Sequence, residues 1–399
     1  MWRNREFVKL WSGQAISSTG TVITAVAMPL VAVLTLHVSP VEMGVLAALN
    51  VLPHLVFGLP AGLWVSRFSL RRLLIVADVG RALLLGAIPV LAAIGHLQML
   101  HLYLVAAAAG VLTLLSDTAS QSLLPVLVAR DDLMSANSAT LFTQTVATTT
   151  GPSLAGALVT AVSAPFAIAF DAISYAASAV TSVLLKEPRR PVLARGQALS
   201  LTGGLRVLYA DPVLRALLIS ATAAAACGAM QAPLVVLYLI RELHWSPVLV
   251  GIAITVSGAA SALGALFAPA YGRALGLGRA YITGQLLASL SGLALAAALT
   301  PLAFLSQLLT GVGMPLYGVP QRTLRQLLVP PALLPQTTAA WRTLVIGGQT
   351  AGALASGLLA TAVGLRVTFV LATAGMLTAG LYSARSPLRG YEKGPSAGD

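Results

Sequence analysis

Apolar residues run along this chain in stretches of about 20, the length an α-helix needs to cross the hydrocarbon core of a bilayer, broken by short groups of Gly, Pro and charged residues. The pattern predicts helices near 12–36, 42–65, 73–95, 99–121, 137–162 and 164–185. A second set is predicted near 213–240, 247–271, 279–300, 302–321, 337–363 and 365–384. Pro29, Pro53, Pro233 and Pro315 fall inside spans, where neighbouring helices can satisfy the carbonyls a proline frees. Arg3, Arg5 and Lys9 precede an apolar run reaching Leu36, too long for the core of a signal peptide, so this segment reads as the first span.

The two sets of helices repeat one another. Gly151-Pro-Ser-Leu-Ala-Gly156 returns as Gly352-Ala-Leu-Ala-Ser-Gly357, and Met28-Pro-Leu-Val returns as Ala232-Pro-Leu-Val. Ser39-Pro40 with Gly44 matches Ser246-Pro247 with Gly251, and Gly58 with Arg67 matches Gly264 with Arg273. Landmarks kept in order at a nearly constant offset predict parallel halves, one of the repeat plans of secondary transporters. The expected organisation is a six-helix bundle over 1–185, a cytoplasmic linker over 186–211 with one short amphipathic helix, a second bundle over 212–384 and a cytoplasmic tail over 385–399. The fold class is thus an all-α polytopic membrane protein of twelve transmembrane helices in two pseudo-symmetric bundles.

Composition agrees: 57% of the 399 residues are hydrophobic and 9% are charged, against about 25% charged in a soluble domain. A net charge of +12 raises nucleic acid as a partner, but the basic residues sit in short clusters between apolar runs, with no basic face interleaved with aromatics. Most of the 24 Lys and Arg lie in the N-terminal tail, the loops after spans 2, 4 and 8, the central linker and the C-terminal tail. The opposite side has only Arg241 and Arg366, so both termini are expected in the cytoplasm of a bacterial cell, with the protein in its cytoplasmic (inner) membrane. The single cysteine, Cys227, lies in an apolar run and reads as a packed thiol.

Several motifs carry a family resemblance. Gly58-Leu-Pro-Ala-Gly62 continuing to Arg67, Arg71 and Arg72 is similar to the loop signature of the major facilitator superfamily. Asp78 and Arg81 follow it as in the bacterial branch that includes macrolide-efflux and enterobactin-exporter-like proteins. Leu124-Pro125 before Ala136-Asn137, Asp171-Ala-Ile-Ser-Tyr175, Asp211-Pro-Val-Leu-Arg215 and Leu237-Tyr-Leu-Ile-Arg-Glu-Leu243 resemble that branch in the same order, over nearly the whole chain. The resemblance implies the major facilitator fold, alternating access and an ion gradient, of protons, as the energy source. Two positions depart from the pattern. Ser66 stands where the signature has an acidic residue, and Val105 to Leu115 lacks the arginine of many proton-coupled members.

An ionisable residue within a span costs about 2.5–3.5 kcal/mol on insertion scales and so marks a candidate site. Asp78 and Arg81, three apart near the cytoplasmic end of span 3, can pair on one helical face. With Arg67, Arg71 and Arg72 they form either a cytoplasmic latch that breaks as the halves rock or a static salt bridge. Asp117, in the cytoplasmic quarter of span 4 within reach of Arg81, Arg322 or Arg342, and Asp171, in the outer third of span 6, are further gating or coupling candidates. Near mid-depth, Asn50 and His54 share one face of span 2, with Gln231 on span 7 and Gln349 on span 11, as candidates to line a central cavity. For His54 the alternatives are a neutral imidazole satisfied by an adjacent helix and a proton-responsive site. Thr148, Thr149 and Thr150 are expected to bond back to helix carbonyls.

The function these features favour is secondary transport, most simply export of a small amphiphilic molecule such as a drug or secreted metabolite, driven by protons, by a chain acting as a monomer among lipids. The alternatives are an importer of the same fold and a non-transporting scaffold. An ATP-driven pump is disfavoured, since Lys occurs only at 9, 186 and 393, none in a phosphate-binding loop. An enzyme is disfavoured for lack of converging catalytic chemistry, and neither a cofactor nor a metal is expected.

Overall fold

The computed structural model describes residues 4–128, 133–186, 201–297, 299–330 and 333–391. All twelve predicted long helices are present: α1 (Arg5–Leu30, continued by a π-helical turn over Val31–Thr35), α2 (Pro40–Arg67), α3 (Leu70–Ala93), α4 (Met99–Leu127), α5 (Leu133–Val162) and α6 (Ala164–Leu184), then α8 (Pro212–Arg241), α9 (Pro247–Leu275), α10 (Leu277–Ala296), α11 (Thr300–Leu328), α12 (Leu334–Val363) and α13 (Leu365–Ala384). The short α7 (Leu201–Ala210) lies in the predicted linker; the rest of that linker over 187–200 and the tail over 392–399 lie outside the described residues.

Several helices run past their predicted apolar windows because their ends are fixed by polar chemistry rather than by hydropathy. α1 starts at Arg5 instead of residue 12, since Asn4 caps it by accepting from the amides of Glu6 and Phe7 and donates to the Leu127 carbonyl. Asp211 caps α8 in the same way, through the amides of Val213 and Leu214, with Pro212 in the first turn, and there the helix begins within one residue of its predicted start.

Among the described residues, ten helices are long and apolar enough to span a membrane, and α5 and α10 are the long helices outside that set. In α5 the deficit is made of threonines. Thr140, Thr143, Thr145, Thr148, Thr149 and Thr150 each donate to the carbonyl four residues earlier, so each of these hydroxyls is satisfied within the helix. Leu83, Phe142 and Leu266, each about 71–72% exposed, show the complementary rule: with lipid as the solvent, large apolar side chains face outward.

The chain divides into two compact units. The first comprises residues 1–38, 49–196 and 245–255, and the second 39–48, 197–244 and 256–399. In the first, α6 packs on α1 and α3, α5 on α1, and α4 on α3. In the second, α13 packs on α8 and α10, α12 on α8, and α11 on α10, so the sequence repeat is also a repeat of packing. Each unit takes in the first turns of one helix whose remainder lies in the other. In the first unit the start of α9 meets α5 so closely that a Cβ at Gly156 would lie 2.5 Å from the Pro247 carbonyl oxygen. In the second, the start of α2 meets α12, where a Cβ at Gly44 would lie 2.6 Å from the Ala353 carbonyl oxygen. The landmarks that repeat in sequence are thus paired crosswise in space.

Candidate functional site

The concentration of charge inside the first unit begins with α6. Asp171, Tyr175, Ser178 and Ser182 follow one another at helical spacing on one face, and all four are buried. Such a polar stripe is sustainable only if other helices supply partners, and α1 and α3 do so in different ways.

From α3, Asp78 accepts from Arg81 at 2.5 Å, Ser178 at 2.8 Å and Ser182 at 3.3 Å. Arg81 uses its whole donor set. Nε bonds the Ala77 carbonyl at 3.2 Å, Nη1 the Tyr175 hydroxyl at 3.2 Å and Thr113 at 3.5 Å, and Nη2 Asp78 and the Ser116 hydroxyl at 3.0 Å. The guanidinium also lies over the Tyr175 ring. The same hydroxyl is hydrogen-bonded at 2.7 Å to that of Thr21 on α1, an exposed residue that also lies within hydrogen-bonding distance of the Ser17 carbonyl. A chain of hydrogen bonds therefore links the buried guanidinium to an exposed position on α1.

α1 supplies room. A Cβ at Gly20 would collide with Asp171 Oδ1 and Ser174 Oγ, so the carboxyl of Asp171 occupies space that only glycine leaves open. Ser174 donates to Asp171 at 3.0 Å, and the buried Thr24 hydroxyl of α1 lies beside the same carboxyl.

The other sequence candidates are distributed as follows. Arg71 donates to the carbonyls of Ser182 and Val183 at the end of α6, and Arg72 is exposed; the side chain of Arg67 lies outside the described residues. The partners that tie down Asp78 are thus the α6 serines as well as Arg81. Asp117 is exposed on α4. Asn50 is exposed and His54 half-buried in the first unit, and Gln349 is half-buried in the second. Gln231 belongs to the packed interior of the second unit, with its amide nitrogen 2.8 Å from where a Gly292 Cβ would stand. Tyr175, Ser116, Ser178, Ser182 and Gly20 escaped the sequence reading, although Asp171 and Tyr175 stood in one quoted motif. The signal was the spacing of 171, 175, 178 and 182 along one face.

Comparison with known proteins places this geometry in context. Residues 2–397 match a family described as transmembrane secretion effectors, of the major facilitator (MFS) type. The chain belongs to that family. It is a polytopic membrane protein of the MFS type. It is similar to the uncharacterized MFS-type transporter YfiS of Bacillus subtilis (strain 168), 25% identical over 221 residues that cover 54% of this chain and 52% of that protein. The chain thus spans about half the length of this relative. Among solved structures, a mutant of the nucleoside transporter NupG has a TM-score of 0.80 at 12% identity, covering 95% of this chain and 99% of that one. A bacterial homologue of the iron transporter ferroportin in an inward-facing state has a TM-score of 0.77 at 17% identity, covering 96% and 98%. At these identities the likeness is one of fold.

Proposed function

We propose that this family member is a proton-coupled exporter of small amphiphilic molecules, working by alternating access as a monomer in a bacterial cytoplasmic membrane with both termini in the cytoplasm. The observation that carries the reading is a charge count. Two buried carboxylates, Asp78 and Asp171, accompany one buried guanidinium, Arg81, within a membrane-embedded bundle. A bare charge there is costly, and one bound proton makes the set neutral. A transporter that must gain and lose a proton needs such a set, whereas a scaffold does not.

The outward direction is supported by the family's description as secretion effectors. The substrate class is supported by the polar candidates of the first unit: exposed Asn50 and half-buried His54 bring no fixed negative charge. That suits a neutral or weakly charged amphiphile better than a permanent cation, which needs a carboxylate to offset desolvation.

The test is transport by purified protein in proteoliposomes against a panel of antibiotics and secreted metabolites, with a pH gradient imposed in either direction. Movement of a compound opposite to the proton gradient, abolished when the gradient is collapsed, is the expected result. Movement with the protons would make the protein an importer or symporter. No movement under any gradient sinks the reading.

A further inference from the structure

The internal repeat provides a control for the charged cluster. α3 and α10 align at an offset of 207, as Arg72 with Arg279 shows, so Asp78 corresponds to Gln285 and Arg81 to Ala288. α6 and α13 align at 201, so Asp171 corresponds to Ala372 and Tyr175 to Met376. The second unit packs α8, α10 and α13 around neutral groups: Ser220 of α8 lies 2.9 Å from the Gln285 amide oxygen of α10 and 3.1 Å from the Ala379 carbonyl of α13, and accepts from Tyr281 at 3.1 Å. The packing therefore does not need the charges. Their presence in the first unit alone calls for another reason.

The two carboxyls of the cluster are unequal. Asp78 receives three donors, one of them cationic, while Arg81 has no N–H left to give Asp171. Asp171 has only neutral hydroxyls beside it, Thr24 and Ser174, and the single proton of Ser174 is shared with the Asp171 backbone carbonyl at 2.8 Å. The charged form of Asp171 is thus the poorly served one. Resting on the proton-coupled reading above, we propose that Asp171 is the proton-binding group of this transporter and that Arg81 is the positioning cation to which its carboxylate turns when the proton leaves. Release is Asp171–COOH passing its proton to water and becoming carboxylate. Arg81 then divides its donors between Asp171 and Asp78, which loosens the hold of Asp78 on Ser178 and Ser182 and so the seam between α3 and α6.

The surroundings leave Arg81 as the cation for this exchange. Tyr175 is the other titratable group on α6, and α5 has no charged residue. On α1, Arg5, Glu6 and Lys9 lie at the end that meets the far terminus of α6, where Lys9 bonds the Leu184 carbonyl and Glu6 the Lys186 amide, about 20 Å along the helix from Asp171. On α3, Arg72 is exposed and Arg71 serves the carbonyls of Ser182 and Val183. On α4, His101 and Tyr103 lie near its start, and Asp117 is exposed.

The direct test needs no substrate. Infrared difference spectra of the purified protein in lipid nanodiscs are recorded across a pH titration, following the C=O stretch of a protonated carboxylic acid. The wild type is expected to show a band that titrates, Asp171→Asn to lose it, Asp171→Glu to retain it at a shifted midpoint, and Arg81→Lys to shift that midpoint. Size-exclusion profiles and unfolding temperatures establish that each variant is folded; the isosteric Asn, which mimics the protonated form, is expected to match the wild type in both. An unchanged band in folded Asp171→Asn overturns the proposal, as does the absence of any titrating band in the wild type. Loss of the band in Asp171→Asn together with gradient-independent transport by the wild type leaves Asp171 as a proton site and removes coupled export, so the two readings fail separately.

Discussion

Arg81 lies with its guanidinium carbon 4.0 Å from the centroid of the Tyr175 ring while donating to the hydroxyl of the same ring, so one tyrosine meets the cation by its face and by its oxygen. Both contacts reach from α3 to α6, and with Ser178 and Ser182 on Asp78 they fasten these helices along their length. Arg81→Ala removes the cation and leaves Asp78 buried without it. Breaking one side of a buried pair costs about 3–5 kcal/mol, while replacing both partners with apolar groups costs far less. Unfolding in detergent is therefore expected to show a large loss for Arg81→Ala and substantial recovery in the double variant Asp78→Leu/Arg81→Met. A double variant as damaged as the single one would mean the cluster holds the helices by something other than paired charge.

The contact between α1 and α6 depends on the missing side chain of Gly20. Alanine there must displace Asp171 Oδ1 and Ser174 Oγ, which are ends of short side chains on a packed helix and have little room to yield. Overpacking of this kind costs about 1–3 kcal/mol. Gly20→Ala is expected to lower the unfolding temperature, and Gly20→Ala/Ser174→Ala to regain part of the loss. Wild-type stability in the single variant would show that α1 can move away from α6 freely.

An ion pair at the surface provides the contrast. Arg366 and Glu242 approach to 3.3 Å between α13 and the end of α8, with side chains 57% and 39% exposed. In such a setting the attraction is screened and two flexible side chains must be ordered, so the expected contribution is below about 1 kcal/mol. Arg366→Ala should leave the unfolding temperature within error at moderate salt. A drop comparable with that of Arg81→Ala would indicate a deeper role for this pair.

The helices were legible because lipid imposes an apolar length that recurs along the chain, and their order was legible because landmarks such as Ser39-Pro40 and Ser246-Pro247 survive in both halves. The start of α1 was not, since Asn4 sets it by accepting backbone protons, a local bond that hydropathy averages away, whereas α8 begins within one residue of its predicted start. Asp78, Arg81 and Asp171 stood out as charges within apolar runs. Tyr175 and the serines did not, because a hydroxyl on an apolar helix looks the same whether it bonds its own backbone, like Thr150, or a buried carboxylate, like Ser178. Nor does a repeat tell which of its copies touch: it equates Gly156 with Gly357, while the fold sets Gly156 against Pro247.

Ser163 and Gly364 occupy equivalent positions immediately before α6 and α13, and both take a backbone conformation that suits glycine. Ser163 has φ 76° and ψ 161°, and Gly364 has φ 84° and ψ 163°. In this region a side chain crowds its own backbone, at a cost of about 1–3 kcal/mol. Ser163 has no side-chain capping bond on α6 to offset that cost. Glycine raises the entropy of the unfolded chain, which returns part of the gain. Ser163→Gly is therefore expected to stabilise the protein by about 1 kcal/mol, seen as a rise in unfolding temperature, and Gly364→Ser to destabilise it by a similar or larger amount. Because each change turns one copy of the repeat into the other, opposite signs test the conformation itself; a loss of stability in both would show that the hydroxyl of Ser163 holds something that the backbone strain is spent to reach.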